Sequence, residues 1–116
     1  MGDKKTIQQQ QLEICKEHDV LPNLPDKEQL VVISDGVFEG EPLEGVRYPS
    51  PSHMSGWWLT TDKYNGDSNS LRTEHFYHIL EKRPDIAQFL ALPVGYRFRY
   101  GRGEDVWFDE IVAKAD

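Results

Sequence analysis

The chain has 116 residues, of which 38% are hydrophobic and 28% charged, so we expect one compact domain over residues 1–116. Three Trp, five Tyr and five Phe supply enough bulky apolar surface for a core, which excludes disorder along the whole chain. Twenty acidic residues against 13 basic ones give a formal charge of -7, which disfavours a nucleic-acid partner and favours a basic one.

The first predicted element is an N-terminal helix. Residues 4–19 contain neither Gly nor Pro, and the Thr6 side chain can cap the helix. Pro22 and Pro25 are expected to end it, because proline lacks the backbone donor that a helix needs. Cys15 lies on this helix as the chain's single cysteine, so it can form no internal disulfide. We expect Cys15 to be a small buried side chain.

A strand and a long loop follow the helix. The β-branched run at residues 30–34 predicts a strand that is buried on both faces in the middle of a sheet. Gly and Pro recur through residues 36–55, which predicts a loop with room for a short strand at residues 46–48. Loops of this length are uncommon inside small domains and often form binding surfaces.

The middle of the chain predicts a second strand and two helices. Strand alternation at residues 56–61 sends Trp57 and Trp58 to opposite faces of the sheet, so one of them faces the core. The other is a candidate contact for a partner, unless a second small core under the N-terminal helix buries it. Apolar spacing predicts a helix over residues 70–83, and bounding prolines predict a shorter one over residues 84–92.

An antiparallel hairpin is predicted near the end of the chain. Residues 96–100 alternate three aromatic side chains with two arginines, a short Gly-containing turn follows, and residues 106–108 pair back. The order of elements predicts an α+β fold, with a small, mostly antiparallel sheet and helices packed on one face. The predicted core side chains are Phe76, Ile79, Leu80, Ile86, Phe89, Leu90, Tyr96 and Phe98.

The sequence gives little support for metal, cofactor or catalytic chemistry. His75 and His78 share one face of a predicted helix, but no HExxH or CxxC motif accompanies them, so histidines at the edge of the core are the simpler interpretation. No GxSxG-like motif presents a nucleophile. We therefore predict no metal site, no cofactor and no enzyme activity, with a small hydrolase as the enzymatic alternative.

The sequence shows no pattern typical of a membrane span or of a signal peptide. No apolar run approaches the roughly 18 residues of a membrane-spanning helix. Residues 1–5 lead into glutamines rather than into the apolar segment of a signal peptide. We expect a cytoplasmic protein that does not bind a membrane.

Carboxylates cluster at two places in the sequence. Asp62 and Asp67 follow the tryptophan-bearing strand, and Glu104, Asp105 and Asp109 surround the last strand. Such groups can act in acid/base catalysis, form a solvated rim, or steer a basic partner towards the protein. For a single carboxylate the solvated rim is the simplest interpretation, whereas together they predict attraction of a basic protein.

Five motifs in the second half of the chain carry a family resemblance. They are SGWW at 55–58, TEHFYHIL at 73–80, RPD at 83–85, FLALPVGYRF at 89–98 and VWF at 106–108. In this order and spacing they resemble the immunity protein thirty-three family, formerly catalogued as a domain of unknown function. The resemblance covers residues 55–110, and residues 1–54 carry no part of it.

The resemblance implies a small α+β immunity protein of bacterial polymorphic toxin systems, which binds and neutralises a cognate toxin. An uncharacterised regulatory or adaptor domain is the alternative among binding proteins. Combined with the charge, the resemblance leads us to expect a toxin with a basic face. The residues expected to contact it are Trp57, Trp58, Asp62, Asp67, Glu104, Asp105 and Asp109.

Overall fold

A capping box starts the N-terminal helix in the computed structural model, which describes residues 6–115. Helix α1 spans Ile7–Glu17. Thr6 Oγ1 accepts a hydrogen bond from Gln9 N at 3.1 Å, and Gln9 Oε1 accepts one from Thr6 N at 2.9 Å. The predicted cap is therefore confirmed. The expectation that no signal peptide is present rests on residues 1–5, which lie outside the described residues.

A left-handed turn ends α1 before any proline is reached. Asp19 has a positive φ of 56°, and Val20 N donates a hydrogen bond to Cys15 O at 3.0 Å. This arrangement satisfies the free carbonyls at the end of the helix. The expectation that Pro22 and Pro25 end α1 is therefore wrong.

One sheet organises the rest of the described chain. Its strands are β1 Leu30–Ile33, β2 Leu43–Arg47, β3 Met54–Thr61, β4 Arg72–His75, β5 Tyr96–Tyr100 and β6 Asp105–Phe108. Within the described residues these strands form a six-stranded sheet in the order β4-β1-β3-β2-β5-β6. β1 and β3 pair in parallel and the other neighbours pair antiparallel, which confirms the predicted α+β class and the mostly antiparallel sheet.

The region predicted as a loop over residues 36–55 contains a central strand. β2 lies between β3 and β5. It begins three residues before the predicted short strand at residues 46–48 and ends one residue before the end of that predicted strand. Gly45 weakened the strand signal, yet the packing requires a glycine there. A Cβ atom on Gly45 would lie 2.1 Å from Phe98 Cε1, so the Phe98 ring occupies the space of a side chain.

The helix predicted over residues 70–83 is wrong in its first half. β4 occupies Arg72–His75, and helix α2 spans only Phe76–Lys82. Ser70 caps no helix, because it ends a short 3-10 turn that Asp67 caps instead. β4 pairs with β1 along its whole length, so strand pairing over a long sequence distance overrides the local helical pattern.

Helices cover one face of the sheet. Ile33, Trp57, Leu59 and Phe98 point towards that face and are fully buried. α1, α2 and the 3-10 turn Ala87–Phe89 close the core over them. The predicted core is confirmed, because Phe76, Ile79, Ile86, Phe89, Leu90, Tyr96 and Phe98 are buried and Leu80 is partly buried against them.

A short helix that the sequence analysis missed follows β6. Helix α3 spans Glu110–Ala113, and Asp109 caps it by accepting a hydrogen bond from Ile111 N at 3.0 Å. Asp109 N also donates to Gly95 O at 2.8 Å. These contacts hold α3 at the end of the sheet, where it lies against β2 and close to the residue before β5.

Candidate binding face of the sheet

The two adjacent tryptophans have different environments. Trp57 is 0% exposed, and its Nε1 donates a hydrogen bond to Leu90 O at 3.0 Å. Its ring meets the Phe98 ring edge to face, with 5.5 Å between centroids. Trp57 was expected among the partner contacts, and this is corrected, because a fully buried side chain cannot touch a partner. Trp58, at 38% exposed, lies on the opposite face.

A buried arginine beside Trp57 links three backbone carbonyl groups on the covered side of the sheet. Arg47 is 4% exposed and its guanidinium lies 5.6 Å from the Trp57 ring centroid. It donates hydrogen bonds to the carbonyl oxygens of Ser55 at 2.9 Å and Leu92 at 2.7 Å, and also to that of Asn23. Burial lowers the pKa of Arg47 to about 10, so the side chain remains charged at neutral pH.

The face of the sheet opposite the helices carries an ordered set of side chains, and we call it the open face. In register across the strands lie Val32, Trp58, Val46, Arg97 and Trp107. The next row along the strands contains Thr60, Glu44, Arg99 and Asp105. The open face is therefore defined by these nine residues, with aromatic and charged side chains in neighbouring rows.

A hollow adjoins Trp58 on this face. Tyr48 meets the Trp58 ring edge to face at 5.9 Å between centroids. Together with Pro49, Pro51, Met54 and other residues, the two rings line a hollow of about 400 Å³ whose walls are mostly apolar. An exposed indole beside an apolar hollow can receive an apolar side chain of another protein.

Two arginines stack on Trp107 in the other half of the open face. The guanidinium carbon of Arg97 lies 5.4 Å from the indole centroid, and that of Arg99 lies 5.8 Å from it. Arg97 Nη1 donates to Asp109 Oδ2 at 3.0 Å, and Arg99 Nε donates to Glu44 Oε1 at 3.2 Å. The hydrogen bond from Arg97 lowers the pKa of the Asp109 carboxyl. Both arginines are therefore neutralised locally.

The predicted acidic contacts separate into paired and unpaired groups. Asp62 forms an ion pair with Arg102, Asp67 caps a 3-10 turn and Asp109 pairs with Arg97. Glu104 and Asp105 are exposed and take part in none of the ion pairs formed by the described residues. Of the five carboxylates, Asp67, Glu104 and Asp105 thus take part in no ion pair among the described residues, and Asp105 is the one of these three that lies on the open face.

Arg97, Arg99 and Trp107 were not predicted as members of a candidate site. A signal for them was present, since the alternation of residues 96–100 already places both arginines on the face away from the core. What was lacking was the pairing of β5 with β6, which sets Trp107 directly opposite Arg97. Tyr48 was missed because it follows a strand hidden by Gly and Pro.

His75 and His78 form a small aromatic cluster with Tyr77. His75 stacks on Tyr77 at 5.2 Å between ring centroids, and His78 Nδ1 lies 3.3 Å from Glu74 Oε1. Over residues 6–115 no group of three or more His, Cys, Asp or Glu side chains is arranged to hold a metal ion. None of the helices described there is both long and apolar enough to cross a membrane.

Comparison with known proteins identifies one family. A family model described as the Imm33-like domain matches residues 10–109, which confirms the resemblance and extends it into the region before residue 55. The match includes both tryptophans of the open face and the residues that line its hollow up to Trp58. No curated protein and no solved structure gives a significant match.

Proposed function

The chain belongs to the Imm33-like family, and from that membership we propose that it is an immunity protein, which binds a cognate bacterial toxin in the cytoplasm and neutralises it without catalysing a reaction. The observation that carries this proposal is the extent of the family match, residues 10–109, which includes α1 from its fourth residue onward, α2 and all six of the described strands.

Neutralisation by binding needs an accessible surface with a few strong contact points. Tryptophan is enriched at the centres of protein interfaces, because one indole buries a large apolar area at a small cost in side-chain entropy. Trp58 offers such a contact point, since it is partly exposed beside an apolar hollow. This combination supports a binding function.

The charge of the chain indicates what kind of toxin it neutralises. At a formal charge of -7 the chain attracts cations and repels nucleic acids. A toxin that acts on nucleic acid or on other anionic targets needs a basic surface to reach them. We propose a toxin with a basic face, whose encounter with the chain is accelerated by long-range attraction.

The test is protection of a cell by co-expression. The gene next to the one for this chain is expressed in a bacterial host, alone and together with the chain, and growth is followed. We expect the neighbouring gene to stop growth, the chain to restore it, and the two proteins to copurify as a stable complex. A toxin of an unrelated family is the control, because the chain should not protect against it.

Continued growth arrest in the presence of well-expressed chain, with no complex on size-exclusion chromatography, would show that the chain is not an immunity protein. A neighbouring protein that binds the chain but has no toxicity would favour the regulatory or adaptor alternative.

A further inference from the structure

The open face has two chemically distinct halves. One half contains Trp58 and the hollow formed with Tyr48, and the other contains the β5–β6 hairpin with Glu104 and Asp105. We propose that this face is the docking surface for the toxin, which inserts an apolar side chain beside Trp58 and places basic side chains over Glu104 and Asp105. This proposal rests on the proposed function and specifies its contact surface.

The apolar half is unusual for a solvent-facing sheet. Trp58 is among the exposed large apolar side chains and lies mid-face, next to Val46 and Val32 in register. Helices cover the other face of the same strands, whereas none of the described helices crosses the centre of this one. A partner side chain of Leu, Phe or Met size would fill the hollow and remove the indole from water.

The acidic half of the open face indicates the charge of the partner, which must be opposite in sign. Arg97 and Arg99 are already paired with Asp109 and Glu44, so the basic groups of the face are neutralised. Glu104 and Asp105 remain, on the exposed hairpin that borders the face. The unpaired charge at this border is negative, which complements a basic partner surface and disfavours an acidic one.

The spacing of the two halves requires a macromolecule. Three strand spacings and two residues along the strand separate Trp58 from Asp105. Sheet geometry places their backbones roughly 16 Å apart. That span fits well within one side of a standard protein interface and is too long for a single small ligand to bridge.

Aromatic and arginine side chains on an open antiparallel sheet also form the stacking platforms that bind single-stranded nucleic acid. Such a platform needs free cationic groups to contact the phosphates. Here each arginine of the open face is paired with a carboxylate, and Asp105 lies opposite Arg99 in the register. The observations therefore favour a protein partner.

The experiment measures binding of the purified cognate toxin, in an inactivated form, to wild type and to variants by calorimetric titration. Trp58→Ala should weaken binding at least 30-fold, because it removes the central contact. Thr60→Arg, which places a bulky cation between the two halves, should weaken it by at least tenfold. Leu12→Ala is the matched control, since Leu12 is 48% exposed on α1 away from this face, and it should change the affinity less than twofold.

Charge reversals separate a local effect from a general one. Glu104→Lys with Asp105→Lys should slow association at least tenfold, whereas Glu17→Lys with Asp26→Lys changes the net charge equally and should slow it less than threefold. Thermal unfolding and circular dichroism of every variant check the fold, and Thr60→Arg keeps the test decisive if Trp58→Ala does not fold.

Each result has a distinct meaning. If wild type binds and protects while Trp58→Ala and Thr60→Arg bind equally well, the docking surface is wrong and the immunity function stands. If wild type neither binds nor protects, both proposals are overturned. A 12-nucleotide single-stranded RNA that quenches Trp58 fluorescence at micromolar concentration would overturn the choice of a protein partner.

Discussion

The two faces of one sheet differ in burial, and the neighbouring residues Trp57 and Trp58 show this difference most clearly. Trp57 is fully buried and hydrogen-bonded to a backbone carbonyl, whereas Trp58 is 38% exposed beside a hollow. The residue type is the same and the backbone position differs by one, so strand alternation places the two side chains on opposite faces. The residue type therefore indicates that one of the two tryptophans is a candidate contact, and the pairing of the strands shows which of them is exposed.

Replacement of a core aromatic side chain on the covered face should have the largest effect. Phe98→Ala or Phe89→Ala should lower the free energy of unfolding by about 3 to 5 kcal/mol, because each ring is fully buried and the two stack at 4.5 Å between centroids. Urea denaturation measures the change. A loss below about 0.5 kcal/mol, which is typical of surface positions, would show that the covered face is not the core.

A matched pair of substitutions compares the faces directly. Trp57→Phe should cost about 2 to 3 kcal/mol, since it leaves a void and deprives Leu90 O of its hydrogen-bond donor. Trp58→Phe should cost less than about 1 kcal/mol, because water already reaches the indole. The same denaturation experiment measures both, and equal losses would contradict the division of the sheet.

A partly buried ion pair and an exposed one can be compared in the same way. Arg83 is 4% exposed and donates hydrogen bonds to Asp85 at 3.0 and 2.9 Å, whereas Asp62 and Arg102 are both largely exposed. Asp85→Asn should cost about 1 to 2 kcal/mol at pH 7, a value reduced because Asp85 itself is partly exposed. Asp62→Asn should cost less than about 0.5 kcal/mol.

The pH dependence of the Asp85 effect follows from its pKa. The hydrogen bonds from Arg83 lower the pKa of Asp85 in the folded state. Its stabilisation is therefore complete above the ordinary aspartate pKa of about 4 and is lost as the pH falls through the lowered value. The free energies of unfolding of wild type and Asp85→Asn should begin to converge as the pH falls below about 4, and should meet once the pH lies below the lowered pKa. A difference that stays constant down to pH 2 would contradict this role.

Salt should act on the rate of association rather than on the rate of dissociation. Raising the salt concentration from about 0.05 to 0.5 M should slow association with the toxin by about tenfold while dissociation changes little, because screening weakens long-range attraction. Stopped-flow fluorescence measures both rates. Association that is independent of salt would remove charge steering and leave the contact surface of the open face unaffected.

Much of the fold follows from local sequence, and the exceptions have physical causes. Thr6 and Gln9 carry their own cap, and the alternation around Phe98 predicts β5 and its buried side. β2 was underestimated because the glycine that interrupts its pattern is required by a ring from another strand. β4 was predicted as helix because its pairing with β1 is not encoded in its own residues.

The candidate site was less predictable than the fold. The opposite orientations of Trp57 and Trp58 were predicted from alternation, but the choice between them required the position of β3 in the sheet. Asp62 and Asp109 were expected to contact a basic partner, and their ion pairs were not predicted because the arginines lie 40 and 12 residues away in the sequence. The open face depends on the register across β3, β2, β5 and β6, which no local pattern contains.

If the open face is the docking surface, the toxin covers Trp58 and leaves Trp57 untouched. Incorporation of 5-fluorotryptophan gives each of the three Trp residues of the intact chain its own ¹⁹F signal, assigned through Trp→Phe variants. On titration with inactivated toxin, we predict that the Trp58 and Trp107 signals shift and lose their sensitivity to solvent, while the Trp57 signal stays in place. A saturated complex in which the Trp58 signal remains unchanged and solvent-sensitive would contradict the claim.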